Sequence, residues 1–303
     1  MVISSVKNYL FLIIFIFPYE VFSGNKNVEP ILEMVEIQTK DGNIFLGKIS
    51  QSTEKFVQIH TKDSLFIEVS KSKIIAIDTI YTRNIDGMLL RADPNESLYI
   101  FAPSAFPIEH NKSYCRDFCV FFPSYNKGLK NNISVQIGAF LFGPMPIAMT
   151  PLVFSGKYSL PNSKKIENFN LSYALGIMYV RMPFSDSSNS GYGFGVSFGT
   201  VTIGNRFNHA SFSMGMGYSN SDGDWEFSER PLLNFAGNKR LSNKLAIVGE
   251  QWIFPDIDLK NSPLLLSARL IGRKFTFDFG GLFTAGSLLE TLPIPIVNIT
   301  YHK

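Results

Sequence analysis

Three runs decide the fold: F-N-L-S-Y-A-L-G-I-M-Y at 169–179, Y-G-F-G-V-S-F-G at 192–199 and F-S-M-G-M-G-Y at 212–218. Each puts bulky apolar side chains on one parity and small residues on the other. In the first, Leu171, Tyr173, Leu175 and Ile177 alternate with Ser172, Ala174 and Gly176. Period two marks a strand, whose successive side chains point to opposite faces. A soluble sheet would turn its greasy parity inward and set charges on the other. Here the second parity is small and uncharged, which predicts a transmembrane β-barrel with lipid outside and a tight lumen inside. Gly193, Gly195, Gly199, Gly215 and Gly217 are therefore expected to face inward.

Working outward, the same reading gives twelve strand candidates: 98–102, 114–122, 133–142, 148–159, 169–181 and 192–203, then 210–218, 230–239, 245–254, 264–271, 275–283 and 296–301. Tight joins at 206–208, 241–244 and 272–274 alternate with longer polar ones. The expected fold class is all-β, an antiparallel up-and-down β-barrel of about twelve strands, in the range of roughly 10–14. Pro144, Pro146 and Pro151 predict a ragged start for the strand after residue 147.

Ahead of the barrel, Lys7, the apolar run 9–17 and Val21-Phe22-Ser23 form a secretory signal over 1–23. A polar lead spans 24–30. Residues 31–80 read as five short strands, opened by a hairpin turn at Asp41-Gly42-Asn43. Residues 81–96 read as a linker ending on the turn signal Asp93-Pro94-Asn95, and the barrel as 97–303.

Net charge is only +3 with no basic block, so nothing points to nucleic acid. Cys115 and Cys119, four apart in an extended strand, would hold their Cα atoms roughly 13 Å apart. A disulfide needs less than about 7 Å, so they are read as two thiols on one face. No His, Cys and Asp set has metal-ligand spacing, and no cofactor is expected. His110 and His209 lie near Ser113 and Ser211 without an orienting acid, so no catalytic residue is assigned.

Two sets of residues stand out on the barrel reading. Glu250, Arg269 and Asp278 fall on the inward parity, since a charge against lipid near mid-membrane costs about 2–4 kcal/mol. With Asn234 and Gln136 they predict a polar cluster in the lumen, the carboxylates neutralising the guanidinium. The ring-bearing residues Tyr99, Tyr114, Tyr192, Tyr218, Trp252 and Tyr301 lie near strand ends, where amphipathic rings meet headgroups.

Four blocks resemble a family of outer-membrane-type β-barrel proteins from Bacteroidota-like bacteria. They are Y-I-F-A-P-S-A-F-P-I at 99–108, G-L-K-N-N-I-S-V-Q-I-G at 128–138, Y-G-F-G-V-S-F-G-T-V-T-I-G-N at 192–205 and N-K-L-A-I-V-G-E-Q-W-I-F at 243–254. The resemblance covers the chain from about Asn95 onward. It implies an outer-membrane location, contact with lipid and handling by barrel-insertion machinery, but no transferable activity. T-K-D-G-N-I-F-L-G-K-I at 39–49 resembles the opening hairpin of SH3-like and Sm-like barrels, which implies a small interaction module. Residues 31–80 would then meet a periplasmic protein partner.

The expected function is therefore a non-enzymatic outer-membrane barrel, structural, anchoring or narrowly conducting. Two alternatives remain open: a soluble exported β-protein binding an apolar or carbohydrate ligand, and an outer-membrane lipid-modifying enzyme.

Overall fold

The computed structural model describes residues 32–303, apart from 62, 86–87, 92, 142–149, 162–163, 167–168, 184–191, 222, 273, 285 and 287–291. The signal and polar lead, and Pro144 and Pro146, lie outside the described residues. The chain divides into two compact units, residues 26–92 and residues 93–303.

In the first unit, β1 (Leu32–Thr39), β2 (Ile44–Ser52), β3 (Phe56–His60) and β4 (Phe66–Ser70) form a meander. The turn between β1 and β2 needs Gly42, whose φ of 84° is a region L side chains avoid. A single 3-10 turn, Lys71–Lys73, sends β5 (Ile74–Ile85) back against β1. A short β6 (Met88–Arg91) extends the edge, giving the order β4-β3-β2-β1-β5-β6. All five expected strands are present. Much of the expected linker is strand instead, because its polar residues pair through their backbone, Thr82 with Arg91 and Asn84 with Leu89. Ile37, Val57, Ile59 and Val69 make the buried core. Gln58 and Glu68 point the other way and share a 3.4 Å hydrogen bond.

The second unit holds β7 (Ser113–Phe118), β8 (Phe122–Gly128), β9 (Ile133–Ala139), β10 (Leu152–Ser159), β11 (Lys164–Ile166), β12 (Phe169–Met182) and β13 (Tyr192–Gly204). It continues with β14 (Asn208–Ser221), β15 (Asp224–Phe227), β16 (Leu232–Arg240), β17 (Leu245–Ile253), β18 (Pro263–Ile271), β19 (Phe275–Thr284) and β20 (Ile294–His302). Twelve of these close into an antiparallel barrel. Neighbours in sequence pair with one another, β20 pairs with β7, and β10 pairs with β12 across the connection that holds β11. Short β15 hangs on the end of β14.

The expected count of twelve is right, but two of its members change. Residues 98–102 are not a wall strand, and the stretch 114–122 is a hairpin. Its turn puts Cys119 and Val120 at φ of 55° and 66°. Neither residue is a turn former, so nothing in the composition marked the reversal. Cys115 stays on the outer side of β7 while Cys119 sits in the turn, and both are free thiols.

The outer face of the wall is mainly apolar, and the inner face holds its buried polar side chains beside two apolar clusters. Leu175, Ile177, Phe212, Met214, Ile247, Leu270, Phe279 and Ile299 are exposed. Ser124, Asn126, Thr202, Ser211, Asn238, Thr276, Asn298 and Thr300 are buried. Strand β13 departs from the expected face assignment. Opposed residues in an antiparallel pair share a face, and Val196 opposes Met178 and Gly217, while Phe198 opposes Gly176 and Gly215. Val196 and Phe198 therefore face the lumen, and Gly193, Gly195 and Gly199 face out. Gly215 and Gly217 do face in. The reason is volume: the Phe198 ring fills the space that Gly176 vacates, and a Cβ at Gly215 would lie 2.6 Å from Val196 Cγ2. Outside, the rings of Tyr179 and Tyr218 cover Gly193 and Gly195 and stack on each other at 6.3 Å.

Candidate functional site

Residues 93–110 occupy the barrel lumen. Tyr99, Ile100, Ala102, Ser104 and Ala105 are almost completely buried, with Asp93, Asn95 and Ser97 close behind. The segment is a small hairpin: Leu98 bridges Pro103, Ser104 N donates to Ser97 O at 3.1 Å, and Tyr99 N donates to Ala102 O at 2.9 Å. Its apolar tip packs on the inward side chains Ala236, Val248, Leu265 and Ile296. So short an irregular segment leaves most of its amides and carbonyls unpaired within itself. Buried backbone groups need partners. The wall supplies them.

Three wall cations take the carbonyls. Lys157 Nζ donates to Ser97 O, Ser104 O and Phe106 O at 3.0, 2.7 and 2.8 Å. Arg269 Nη2 donates to Tyr99 O at 2.6 Å, and Arg116 Nη2 to Ile100 O. One wall anion takes amides: Glu250 Oε1 accepts from Phe101 N and from Ala102 N, the latter at 2.9 Å. Its other oxygen accepts from Trp252 Nε1 at 3.0 Å. Neutral side chains complete the set. Thr202 Oγ1 accepts from Ala105 N at 2.7 Å, Ser134 Oγ from Ile108 N at 2.9 Å, and Tyr99 Oη meets Ser211 Oγ at 2.6 Å.

Arg269 is the hub. Its Nε donates to Asp278 Oδ1 at 2.7 Å, and its Nη1 to Asp93 Oδ2 at 3.0 Å. Burial by itself would raise the Asp93 carboxyl, but the Arg269 charge and the Asn95 amide outweigh it and hold the group below its usual value. The expected carboxylate–guanidinium–carboxylate set exists with one member changed. Glu250, Arg269, Asp278 and Asn234 are all buried, yet the second carboxylate on Arg269 is Asp93, and Glu250 serves the hairpin amides. Gln136 is half-buried on β9 and makes no part of this cluster; it lines a neighbouring cavity with Asn234.

A second cluster lies where the segment meets the tight turn between β13 and β14. Arg206 Nη1 is 3.1 Å from Glu96 Oε1 and 2.6 Å from Glu109 Oε1. One guanidinium faces two carboxylates of unequal exposure. Burial raises the Glu96 pKa to about 8, with Arg206 opposing the shift and Glu109 adding to it. Burial raises Glu109 less than Arg206 and Lys112 lower it, so that group stays ionised. At neutral pH Glu109 carries the charge and Glu96 is largely protonated.

The six ring-bearing residues expected at an interface divide. Tyr301 is exposed on the outer side, Tyr218 is on the outer side under Trp225 and Phe227, and Tyr192 is exposed at the start of β13 on the parity that Val196 and Phe198 turn to the lumen. Three turn inward, which corrects the expectation. Tyr99 is in the hairpin, Tyr114 meets Ser97 Oγ at 3.2 Å, and Trp252 bonds Glu250. Position near a strand end did not reveal which face each ring took. His209 lies between the rings of Tyr99 and Phe106, with Nδ1 on Asn205 O at 3.0 Å, and pairs with no serine among the described hydrogen bonds. Among the described residues no group of three or more His, Cys, Asp and Glu could hold a metal.

The sequence reading missed Asp93, Lys157 and the hairpin itself. Lys157 carried a usable signal, since it is a lone charge in an otherwise uncharged strand. No family model matches this chain, and no curated protein matches it either.

Proposed function

We propose that the chain is an exported outer-membrane barrel kept shut by its own lumenal hairpin, with a structural or anchoring role. The inverted side-chain arrangement carries this reading. Large aliphatic and aromatic groups cover the outside of a closed barrel, Arg116, Lys157, Glu250, Arg269 and Asp278 are buried within it, and the outward charges Asp117, Lys127, Arg181 and Lys239 lie near strand ends, an arrangement that suits a hydrocarbon surround and wastes apolar area in water. No helix among the described residues is long and apolar enough to cross a membrane, which says nothing about strands.

In this reading the barrel is non-enzymatic at rest and does not conduct, because residues 93–110 fill the polar part of the lumen. The unit at 32–91 is an SH3-like interaction module for a periplasmic protein, supported by the β4-β3-β2-β1-β5 order and the 3-10 turn before β5. Fractionation tests the membrane assignment. The protein should stay with carbonate-washed membranes and migrate differently on a gel with and without heating. Recovery in the soluble fraction would sink it. In planar bilayers the native protein should be silent and Arg269→Ala should conduct; a conducting native protein would favour the narrow-channel alternative.

A further inference from the structure

The two ends of the barrel differ in charge. Neighbouring wall strands are antiparallel, so the joins β8–β9, β13–β14, β16–β17 and β18–β19 lie at one end, with the close of β20. The joins β7–β8, β12–β13, β17–β18 and β19–β20 lie at the other. The first end carries Lys127, Lys130, Lys239, Lys244, Lys274 and Lys303, all exposed except the half-buried Lys239. None of the six is paired with a carboxylate among the described residues. Outside the buried interior, the described side-chain carboxylate of that end is Glu109, which Arg206 and Lys112 already hold. The second end carries Asp224, Glu226, Glu229, Asp256 and Asp258, all exposed, against Arg181, Arg230 and Lys260.

The lysines form a continuous arc. Lys244 O accepts from Ile271 N at 2.8 Å, Lys274 O accepts from His302 N at 2.8 Å, and Lys303 N donates to Ser113 O at 3.1 Å. Each of these lysines is thus tied to the next strand along. From β9 to β16 the arc crosses eight adjacent strands, roughly 34 Å at about 4.8 Å per strand. Six charges over that length stand roughly 7 Å apart, inside the Debye length of about 8 Å in physiological salt, so their fields add. Two of them lie on the outer face. Lys127 opposes Val135 and Lys239 opposes Ile247, both exposed apolar residues. A lysine placed so lays its stem along carbon and holds its ammonium at the edge of the apolar band. Just inside the arc the exposed rings of Phe275 and Tyr301 lie 5.1 Å apart, as in the aromatic girdle where hydrocarbon gives way to headgroups. An anion that meets these lysines together therefore lies around the rim of the apolar band. We propose that this arc binds the phosphates of anionic phospholipids in one leaflet. The inference rests on the membrane reading, under which the end with the short turns faces the periplasm.

The test reconstitutes the full chain in phosphatidylcholine bilayers with a trace of spin-labelled phosphatidylglycerol, or of spin-labelled phosphatidylcholine with the same chains. Electron paramagnetic resonance reads the fraction of each label slowed at the protein surface. Phosphatidylglycerol should be favoured about fivefold, the weight of one basic side chain at an anionic surface. In 1 M salt, where the Debye length is about 3 Å, the preference should fall toward one. The triple variant Lys130→Gln, Lys244→Gln, Lys274→Gln should lose most of the preference. A matched control, Arg181→Gln, Arg230→Gln, Lys260→Gln, removes as many cations from the other end and should keep it. Equal slowing of both labels by the parent would overturn the inference and leave the membrane reading standing. A loss as large in the control as in the lysine variant would trace the preference to net charge and overturn it as well. No slowed lipid of either kind would remove the membrane reading itself, and this inference with it.

Discussion

The small sheet and the barrel use the same alternation in opposite senses. In β3 and β4 the branched residues Val57, Ile59, Ile67 and Val69 turn inward and Gln58 and Glu68 turn out. In β18 and β19 Arg269, Ser267, Thr276 and Asp278 turn inward while Leu270, Phe275 and Phe279 turn out. Both patterns have period two, so both specify strands. The sense of the pattern reports what lies on each side. In the small sheet burial of carbon drives folding. In the barrel the inner charges are retained because an irregular backbone segment must be satisfied where water is scarce.

Breaking the hub should have the largest effect. Arg269→Ala leaves Asp93 buried without its ion pair, leaves Asp278 only the longer 3.6 Å ion pair with Arg116, and strips a donor from Tyr99 O, a loss of about 3–5 kcal/mol. Limited proteolysis should then cut within 93–110, and resistance equal to the parent would refute the hub. On the outer face, Met214→Arg should cost about 2–4 kcal/mol for folding in a bilayer. Met214 is 53% exposed and in water the same change would be close to neutral, so refolding titrations in lipid and in solution separate the two surrounds.

Acidity acts on the Glu96–Arg206–Glu109 cluster. The Glu96 pKa rises from 4.5 to about 8 on folding. The folded form holds more protons between those values, so stability from this group is complete below pH 4.5 and is lost as pH rises through 8. The melting temperature should fall across that window, and Glu96→Gln should flatten the slope. An unchanged slope would assign the pH dependence elsewhere.

Val120 offers a smaller gain. It is 69% exposed and holds a φ of 66°, so Val120→Gly removes backbone strain without losing packing and should stabilise by about 1 kcal/mol. A lower melting temperature would show that the turn relies on the valine. Smallest of all is Ile75→Lys in the small sheet. This residue is 61% exposed, and urea unfolding should shift by less than about 0.5 kcal/mol. That near-silence beside Met214→Arg is the comparison at its sharpest.

Much of the wall was legible because alternation survives local detail. Phe275, Phe277 and Phe279 against Thr276 and Asp278 leave one reading of β19, and the structure keeps it. The failures were of two kinds. Val196 and Phe198 alternate with glycine as cleanly as Met214 and Met216 do, yet they face the other way. The pattern of a glycine-rich strand has no sense of its own, and the complementary gaps at Gly176 and Gly215 set it. Residues 98–102 have strand composition, but the barrel was already closed without them.

The sequence by itself determined that this chain is β throughout, that its larger part is a barrel of about twelve strands, and that Glu250, Arg269 and Asp278 belong inside. Those follow from local rules: period two, turn chemistry and the cost of a charge against carbon. Only the tertiary structure decided that a hairpin fills the lumen, that Asp93 completes the Arg269 hub, and which face β13 turns inward. Each depends on residues far apart in the chain meeting in three dimensions. Asp93 and Arg269 are separated by 176 positions, and no local pattern encodes that contact.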